Sequence, residues 1–195
     1  MLDYLQNLDS LLFFKINGCH ASWLDPVMFW MSQKVWLWIP LYLLLFWLII
    51  RRYGKQSWMI LISVVILIAL ADQTASAILK PLVARLRPTH DPAITSMVHV
   101  VNKYVGGMYG FASSHAANTM GFAVFMVLLF RRKRISVPLI SWSVLVSYSR
   151  VYLGVHYPGD VLAGMAIGTL WAFVIYLLLR FIYKKYFGDD LHKVG

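Results

Sequence analysis

Five long apolar runs, separated by short clusters of arginine and lysine, constrain this chain more than any other feature. They cover residues 35–50, 57–79, 113–130, 135–149 and 161–183. About 20 apolar residues cross the ~30 Å hydrocarbon layer of a bilayer, and the first run reaches that length when residues 31–34 join it. In lipid every backbone amide and carbonyl must find its partner within the protein, so such runs fold as helices. The expected fold is all-α: a polytopic membrane bundle of five or six transmembrane helices, with residues 1–195 forming one membrane-embedded domain. Composition agrees, with 60% hydrophobic and 13% charged residues, against about 25% charged in soluble domains.

Residues 1–33 are less clear-cut. Trp23, Phe29 and Trp30 are apolar, but Asn17, Gly18, His20, Ser22, Asp25 and Pro26 interrupt them. Two amphipathic helices at the membrane interface fit this pattern, and a sixth crossing is the alternative. Pro26 favours a position in the first turn of the second helix. The first 20 residues include Asp3, Asp9 and Lys15 and no long apolar run, so no removable signal peptide is expected.

The formal net charge of +10 first raises the question of nucleic acid, but its distribution answers it. The bases at 51–55, 131–134 and 184–185 fall between apolar runs, and alternation of the runs puts all three groups on one face. The positive-inside rule makes that face cytoplasmic. Loops 80–112 and 150–160 then meet outside the cytoplasm, in a plasma-membrane protein with no nucleic-acid partner. All eight acidic residues are aspartate, which removes the glutamate-dependent zinc and calcium motifs. The single Cys19 excludes an internal disulfide and thiolate clusters, and a plain buried thiol is expected there.

Three polar clusters lie at the outward ends of the runs. The first is Lys80-Pro-Leu-Val-Ala-Arg85-Leu-Arg87-Pro88, the second Ala112-Ser113-Ser114-His115, and the third Ser149-Arg150 followed by His156 and Asp160. Lys80, Arg87 and Arg150 offer fixed positive charge, and guanidinium forks match phosphate oxygens. The free amides where a helix begins near Ser113 add an anion site, with Ser113 and Ser114 as further donors. Phosphoryl transfer needs mainly such neutralisation and in-line positioning, and three cations with a helix terminus leave no need for a metal or other cofactor.

Together the clusters resemble the type 2 phosphatidic acid phosphatase family, whose motifs read KxxxxxxRP, PSGH and SRxxxxxHxxxD. The first and third match at every defined position; in the second, Ala112 and Ser114 replace the family proline and glycine. The resemblance implies that His156 attacks phosphorus and forms a phosphohistidine. It implies that Asp160 orients His156, and that His115 protonates the leaving oxygen and later activates water. Lys80, Arg87, Ser113, Ser114 and Arg150 become the phosphate ligands. The expected substrate is a lipid phosphate, with undecaprenyl diphosphate first and lipid A or phosphatidylglycerol phosphate behind it. A lipid phosphotransferase would use the same residues.

Each residue also has a plainer reading. Lys80, Arg85 and Arg87 taken singly are interface anchors, Asp160 after Pro158-Gly159 is the N-cap of the last helix, and His115 is an interfacial histidine. Their joint spacing favours catalysis. Arg85, outside the defined positions, reads as a supporting or interface charge, and His20, His90, His99 and His192 as solvated loop residues. Asp72 and Ser76 sit two turns and one turn before Lys80, either lining the polar mouth or pairing with a base. Loop 89–112, with turn signals at Asp91-Pro92 and Gly106-Gly107, reads as a lid or binding loop. A transporter or a non-catalytic scaffold is the reading from another class. It fits poorly, because the charges gather at one mouth instead of lining mid-helix positions.

Overall fold

A computed structural model describes residues 2–188 and 191; His192 lies outside the described residues. Among the described residues eight α-helices follow one another: α1 Leu2–Gly18, α2 Leu24–Gln33, α3 Ile39–Tyr53, α4 Ser57–Gln73, α5 Lys80–Val83, α6 Ser114–Phe130, α7 Lys133–Tyr152 and α8 Pro158–Phe187. Among the described residues there is no strand, only an isolated bridge between Leu86 and Tyr109. The all-α expectation holds.

Local chemistry sets the helix boundaries. Gly54, at φ +52°, ends α3 in a conformation that suits glycine. The chain then doubles back, so that Tyr42, Leu45 and Ile49 of α3 share a groove with Leu61 and Val64 of α4. Ser113 has extended backbone angles and its hydroxyl accepts from the Ala116 amide, capping the start of α6. Pro158 occupies the first turn of α8, where its missing N–H costs nothing. Between α4 and α5 the helix widens into a π-turn over Thr74–Leu79. Pro81 accounts for it: the ring has no N–H to give and crowds the carbonyl four residues back.

The largest core joins α3, α4, α6, α7 and α8 through residues such as Ile49, Leu67, Phe125, Val146 and Leu179. At its centre α6 and α8 approach along a seam of small residues. A Cβ on Gly168 would collide with the Ala117 carbonyl, and one on Gly164 with the Ser113 carbonyl. Small residues bring helices this close where backbone-to-backbone packing must replace a hydrophobic drive.

The outer surface is apolar. Val65, Leu170 and Phe181 are 62–68% exposed. Two continuous helical stretches, Trp36–Val83 and Pro158–Phe187, are long and apolar enough to cross a membrane, and only 28% and 33% of their most apolar windows are buried. Helices in the core of a soluble protein would hide such residues from their surroundings, so these faces are built for lipid. The first stretch contains the α3–α4 reversal. At that end Arg52 donates to the Phe130 carbonyl at 3.3 Å, bringing the 51–55 and 131–134 clusters together at the C-terminus of α6. Cations there complement the helix dipole.

The N-terminal region forms two short helices, with Pro26 in the first turn of α2. Tyr4, Leu5, Leu8, Leu11 and Leu12 make an exposed apolar face on α1. Its opposite face carries Asp9, Phe13 and Asn17 inward, and Asn17 binds both backbone groups of His99 and the Tyr152 carbonyl. Two expectations fail here. Cys19 is exposed, because it follows the end of α1 on the turn into α2 and packs against no core. His99 is not a solvated residue: Asp25 accepts from its ring at 3.1 Å, and the His20 ring stacks on it at 3.7 Å.

The seam gives a direct test. Gly168→Val should lower the thermal midpoint in detergent, since overpacking costs about 1–3 kcal/mol and the obstacle is backbone. Leu170→Val, on the exposed side of the same helix, should barely change it. Equal midpoints for the two variants would contradict the packing described.

Candidate active site

The seam positions the site. Where α6 begins, the Ser113 amide donates to the Asp160 carbonyl in the first turn of α8 at 2.9 Å. His115 lies one residue into α6, and His156 lies in the short loop between α7 and α8. One backbone hydrogen bond therefore links the two elements that carry the histidines.

Three cations converge from three directions. Lys80, just past the π-turn, donates to Ser114 Oγ at 2.7 Å and to Ser76 Oγ at 3.4 Å. The two serine hydroxyls lie 2.6 Å apart, so Ser114, standing where the family has glycine, fastens Lys80 to α6. Arg87 donates from Nε to the Tyr109 carbonyl at 3.1 Å, and its backbone amide binds the Met108 carbonyl. Gly106, at φ +68°, lets the guanidinium lie against the loop, because a Cβ there would strike Arg87 Nη1. Arg150 is almost wholly buried, held by Ser32 Oγ on α2 and by the Tyr104 hydroxyl at 3.0 Å.

These cations retain unspent donors. Arg87 Nη1 and Arg150 Nε are buried without a hydrogen-bond partner. Leaving such groups unpaired is expensive, and Lys80, Arg87 and Arg150 all act electrostatically on both His115 and His156. The arrangement calls for an anion with several acceptor oxygens beside the histidines, which describes a phosphate.

His156 is buried against Asp160, its Nδ1 3.4 Å from Asp160 Oδ2. That separation is longer than a hydrogen bond, and Nδ1 has no hydrogen-bond partner. Burial holds the His156 imidazole well below its ordinary protonation range, and Arg150, Arg87 and Lys80 push the same way. The ring is therefore neutral at neutral pH, the form in which imidazole is a nucleophile. With Nδ1 turned toward the carboxylate, Nε2 is the nitrogen left to react.

The plainer reading of Asp160 as N-cap of the last helix does not hold. Tyr157 occupies that position, and Asp160 sits three residues on, with Oδ2 reaching back to accept the Tyr157 amide at 3.0 Å. This is the carboxylate half of a capping box, which leaves Oδ1 free for another partner. Arg85 takes it, Nη1 to Oδ1 at 3.0 Å. Gly110 makes room, since a Cβ there would sit 2.8 Å from Asp160 Oδ2.

The structure thus gathers His115, His156, Asp160, Lys80, Arg87, Ser114 and Arg150 at one end of the bundle. Ser113 is there too, with its hydroxyl turned back onto its own helix. Ser76 lies beside Lys80, while Asp72 accepts from Asn118 at 3.1 Å instead of pairing with a base. Sequence reasoning missed Ser32 and Tyr104, which seat Arg150 from α2 and from loop 89–112. Neither carries a local motif. Gly106 was visible only as a turn signal, and its closeness to Arg87 appears only in three dimensions.

Known proteins resemble this chain in sequence and in fold. The PAP2 superfamily pattern matches residues 57–184. The lipid A 4'-phosphatase of Bacteroides thetaiotaomicron is 37% identical over 91% of this chain and 80% of its own length. The undecaprenyl-diphosphatase of Sulfolobus acidocaldarius is 34% identical over 84% of this chain and 74% of its own. In fold, the crystal structure of Aquifex aeolicus LpxE superposes with a TM-score of 0.66 at 24% identity, covering 86% of this chain and 94% of that one. With its helical bundle, its lipid-facing exterior and this match, the chain belongs to the PAP2 superfamily and is a membrane phosphatase.

Proposed function

We propose that this chain removes a phosphate monoester from the headgroup of a lipid A-type glycolipid, through a phosphohistidine on His156. The buried, unspent donors of Arg87 and Arg150 beside a neutral His156 carry the chemical part of this reading. The substrate rests on relatives. The motif resemblance puts undecaprenyl diphosphate first, but the lipid A 4'-phosphatase of B. thetaiotaomicron is more similar, and over more of the chain, than the undecaprenyl-diphosphatase. A polyprenyl diphosphate remains the second reading, on the strength of that latter relative.

The proposed reaction has two halves. His156 Nε2 attacks phosphorus and the N–P bond forms. The P–O bond to the lipid breaks, and the departing oxygen keeps the electron pair and takes a proton from His115, which the negative charge of the bound phosphate holds in its protonated form. Asp160 accepts a hydrogen bond from the Nδ1–H of His156 and stabilises the positive charge that develops on the ring, the part the aspartate plays in a serine-protease triad. The hydrogen bond forms as substrate binding closes the 3.4 Å separation between Nδ1 and Asp160 Oδ2. Water then gives a proton to His115 and attacks phosphorus, the N–P bond breaks, and inorganic phosphate leaves. Lys80, Arg87, Arg150, Ser113, Ser114 and the first amides of α6 hold the phosphoryl oxygens throughout.

The whole chain acts as one membrane-embedded domain. We infer five crossings, formed by the 36–53 helix and α4 through α5, then α6, α7 and α8, with α1 and α2 at the interface. The basic end lies in the cytoplasm, so the phosphate site opens on the outer face of the plasma membrane.

Phosphate release by the purified protein across a lipid panel tests this function. Lipid A should be dephosphorylated faster than undecaprenyl diphosphate or phosphatidylglycerol phosphate, and millimolar EDTA should leave the rate unchanged. Dependence on added magnesium would defeat the cation-based mechanism; a preference for the polyprenyl diphosphate would select the second reading.

The histidine roles predict distinct kinetics. His156→Ala should lose at least ~10³-fold in kcat and form no phosphoenzyme, as members of a catalytic unit do when removed singly. His115→Ala should be damaged less with p-nitrophenyl phosphate, whose leaving group needs little protonation, than with lipid. Asp160→Asn should lose ~10²- to 10⁴-fold by analogy with the protease triad. Rapid quenching at high pH should trap an acid-labile phosphate on His156; finding it on His115 would reverse the assignment.

Orientation is testable in intact cells. A cysteine replacing Lys103, in a Cys19→Ser background, should react with an impermeant thiol reagent from outside. Labelling only after lysis would invert the topology.

A further inference from the structure

A bridge from α1 ends on Asp160. Asp9 Oδ1 accepts the Gly159 amide at 2.7 Å, and Asp9 Oδ2 lies 2.8 Å from Arg85 Nη2. The other prong of the same guanidinium, Nη1, lies 3.0 Å from Asp160 Oδ1. Arg85 stacks over the Tyr157 ring at 3.9 Å, and Phe13, one turn after Asp9, packs against the same ring. Gly159 leaves room for this carboxylate, since a Cβ there would sit 2.8 Å from Asp9 Oδ2 and displace it.

Arg85 lies outside the recognised motifs, and Asp9 lies some 70 residues before them on an interfacial helix. Interface anchoring explains neither geometry. An anchor points its charge to water or headgroups; Arg85 instead spends both terminal nitrogens on two carboxylates. A guanidinium can bridge two acceptors with fixed angles, which an ammonium cannot do.

We propose that Asp9 and Arg85 are positioning residues of the active site, holding the Asp160 carboxylate at the angle from which it orients His156. Asp9 fixes Arg85 from α1, Arg85 fixes Asp160 Oδ1, and the Tyr157 amide fixes Oδ2. Asp160 then has one geometry to offer His156 Nδ1. α1, whose outer face is apolar, thereby becomes part of the catalytic assembly as well as a contact with the membrane surface.

The inference rests on the roles assigned above to His156 and Asp160. Its test uses the full-length protein in detergent, with kcat, KM and the pH profile measured for Asp9→Asn, Arg85→Lys and Arg85→Gln. Each should lower kcat by about 10- to 100-fold, the range found when the partner behind an essential ligand is removed, with KM within about twofold of wild type.

The pH profile separates position from charge. The charged groups facing Asp160 are Arg85 and Arg87 from the loop after α5 and His156 from the loop before α8, with Asp9 of α1 behind Arg85. Removing a cation favours protonation of both Asp160 and His156, so Arg85→Gln should move the acid limb of kcat/KM to higher pH. Arg85→Lys keeps the charge and should restore the limb but not kcat. Asp9→Asn removes an anion and should lower kcat without moving the limb upward.

A wild type that releases phosphate, with Asp9→Asn and Arg85→Lys retaining full kcat, overturns the inference alone. A wild type inactive on every lipid phosphate overturns the proposed function beneath it. A merely structural bridge would lower the thermal midpoint and leave kcat per folded molecule and the acid limb at their wild-type values, and that result also overturns the inference. If Arg85→Gln does not purify folded, Asp9→Asn and Arg85→Lys decide the matter by the same criteria.

Discussion

The hydrogen bond from the Ser113 amide to the Asp160 carbonyl, 2.9 Å long, is the joint on which the site depends. It lies at the top of the α6–α8 seam, where Gly164 lets the Ser113 carbonyl approach and Gly168 and Gly121 continue the contact below. A side chain at Gly164 would wedge the helices apart at the level of the histidines. Close packing of small residues is thus a means by which an apolar bundle keeps the two elements that carry the histidines in register. The precision required is high, since about 1 Å of misplacement can cost a hundredfold in rate.

The second constraint is charge. Arg87 and Arg150 are buried in an apolar bundle, and neither forms an ion pair among the described residues. The nearby carboxylate, Asp160, is engaged by Arg85. Isolated buried charge costs several kcal/mol per ion even after relaxation. Neutral dipoles offset part of this: Tyr104 and Ser32 around Arg150, the Tyr109 carbonyl on Arg87, and Ser76 with Ser114 around Lys80. The remaining demand is for negative charge, and a phosphate monoester supplies it in the right shape.

Much of this was legible in the sequence, for physical reasons. Helix ends at Ser113, Gly54 and Pro158 carry local signals, and lipid leaves a chain little choice but helix. The motif residues are legible because phosphate chemistry restricts which side chains can do the work. Long-range seating was not. Nothing near Ser32 announces that it holds Arg150 across 118 positions, and His99 looked like any loop histidine until Asp25 and His20 closed on it. The π-turn before Lys80 had a signal in Pro81 that periodicity alone overlooks. Asp160 showed its helix-start character, but its place in the capping box depended on which residue took the N-cap.

The charge pattern also bears on why a histidine suits the proposed nucleophilic role. Attack by neutral imidazole brings no added negative charge to a phosphoryl group that is already anionic. A carboxylate or thiolate would have to approach that dianion against repulsion, and each would first be drawn into ion pairs with the surrounding cations. The cations that join burial in keeping His156 neutral therefore help prepare the nucleophile and compensate the substrate at once. The same field favours the second half of the reaction. A phosphohistidine nitrogen carries positive charge and departs as a neutral ring, so a site rich in arginine assists the breaking of the N–P bond. Asp160 must then moderate the charge on His156 without pinning it, and a carboxylate already shared between Arg85 and the Tyr157 amide is weakened as a base while remaining fixed as an acceptor.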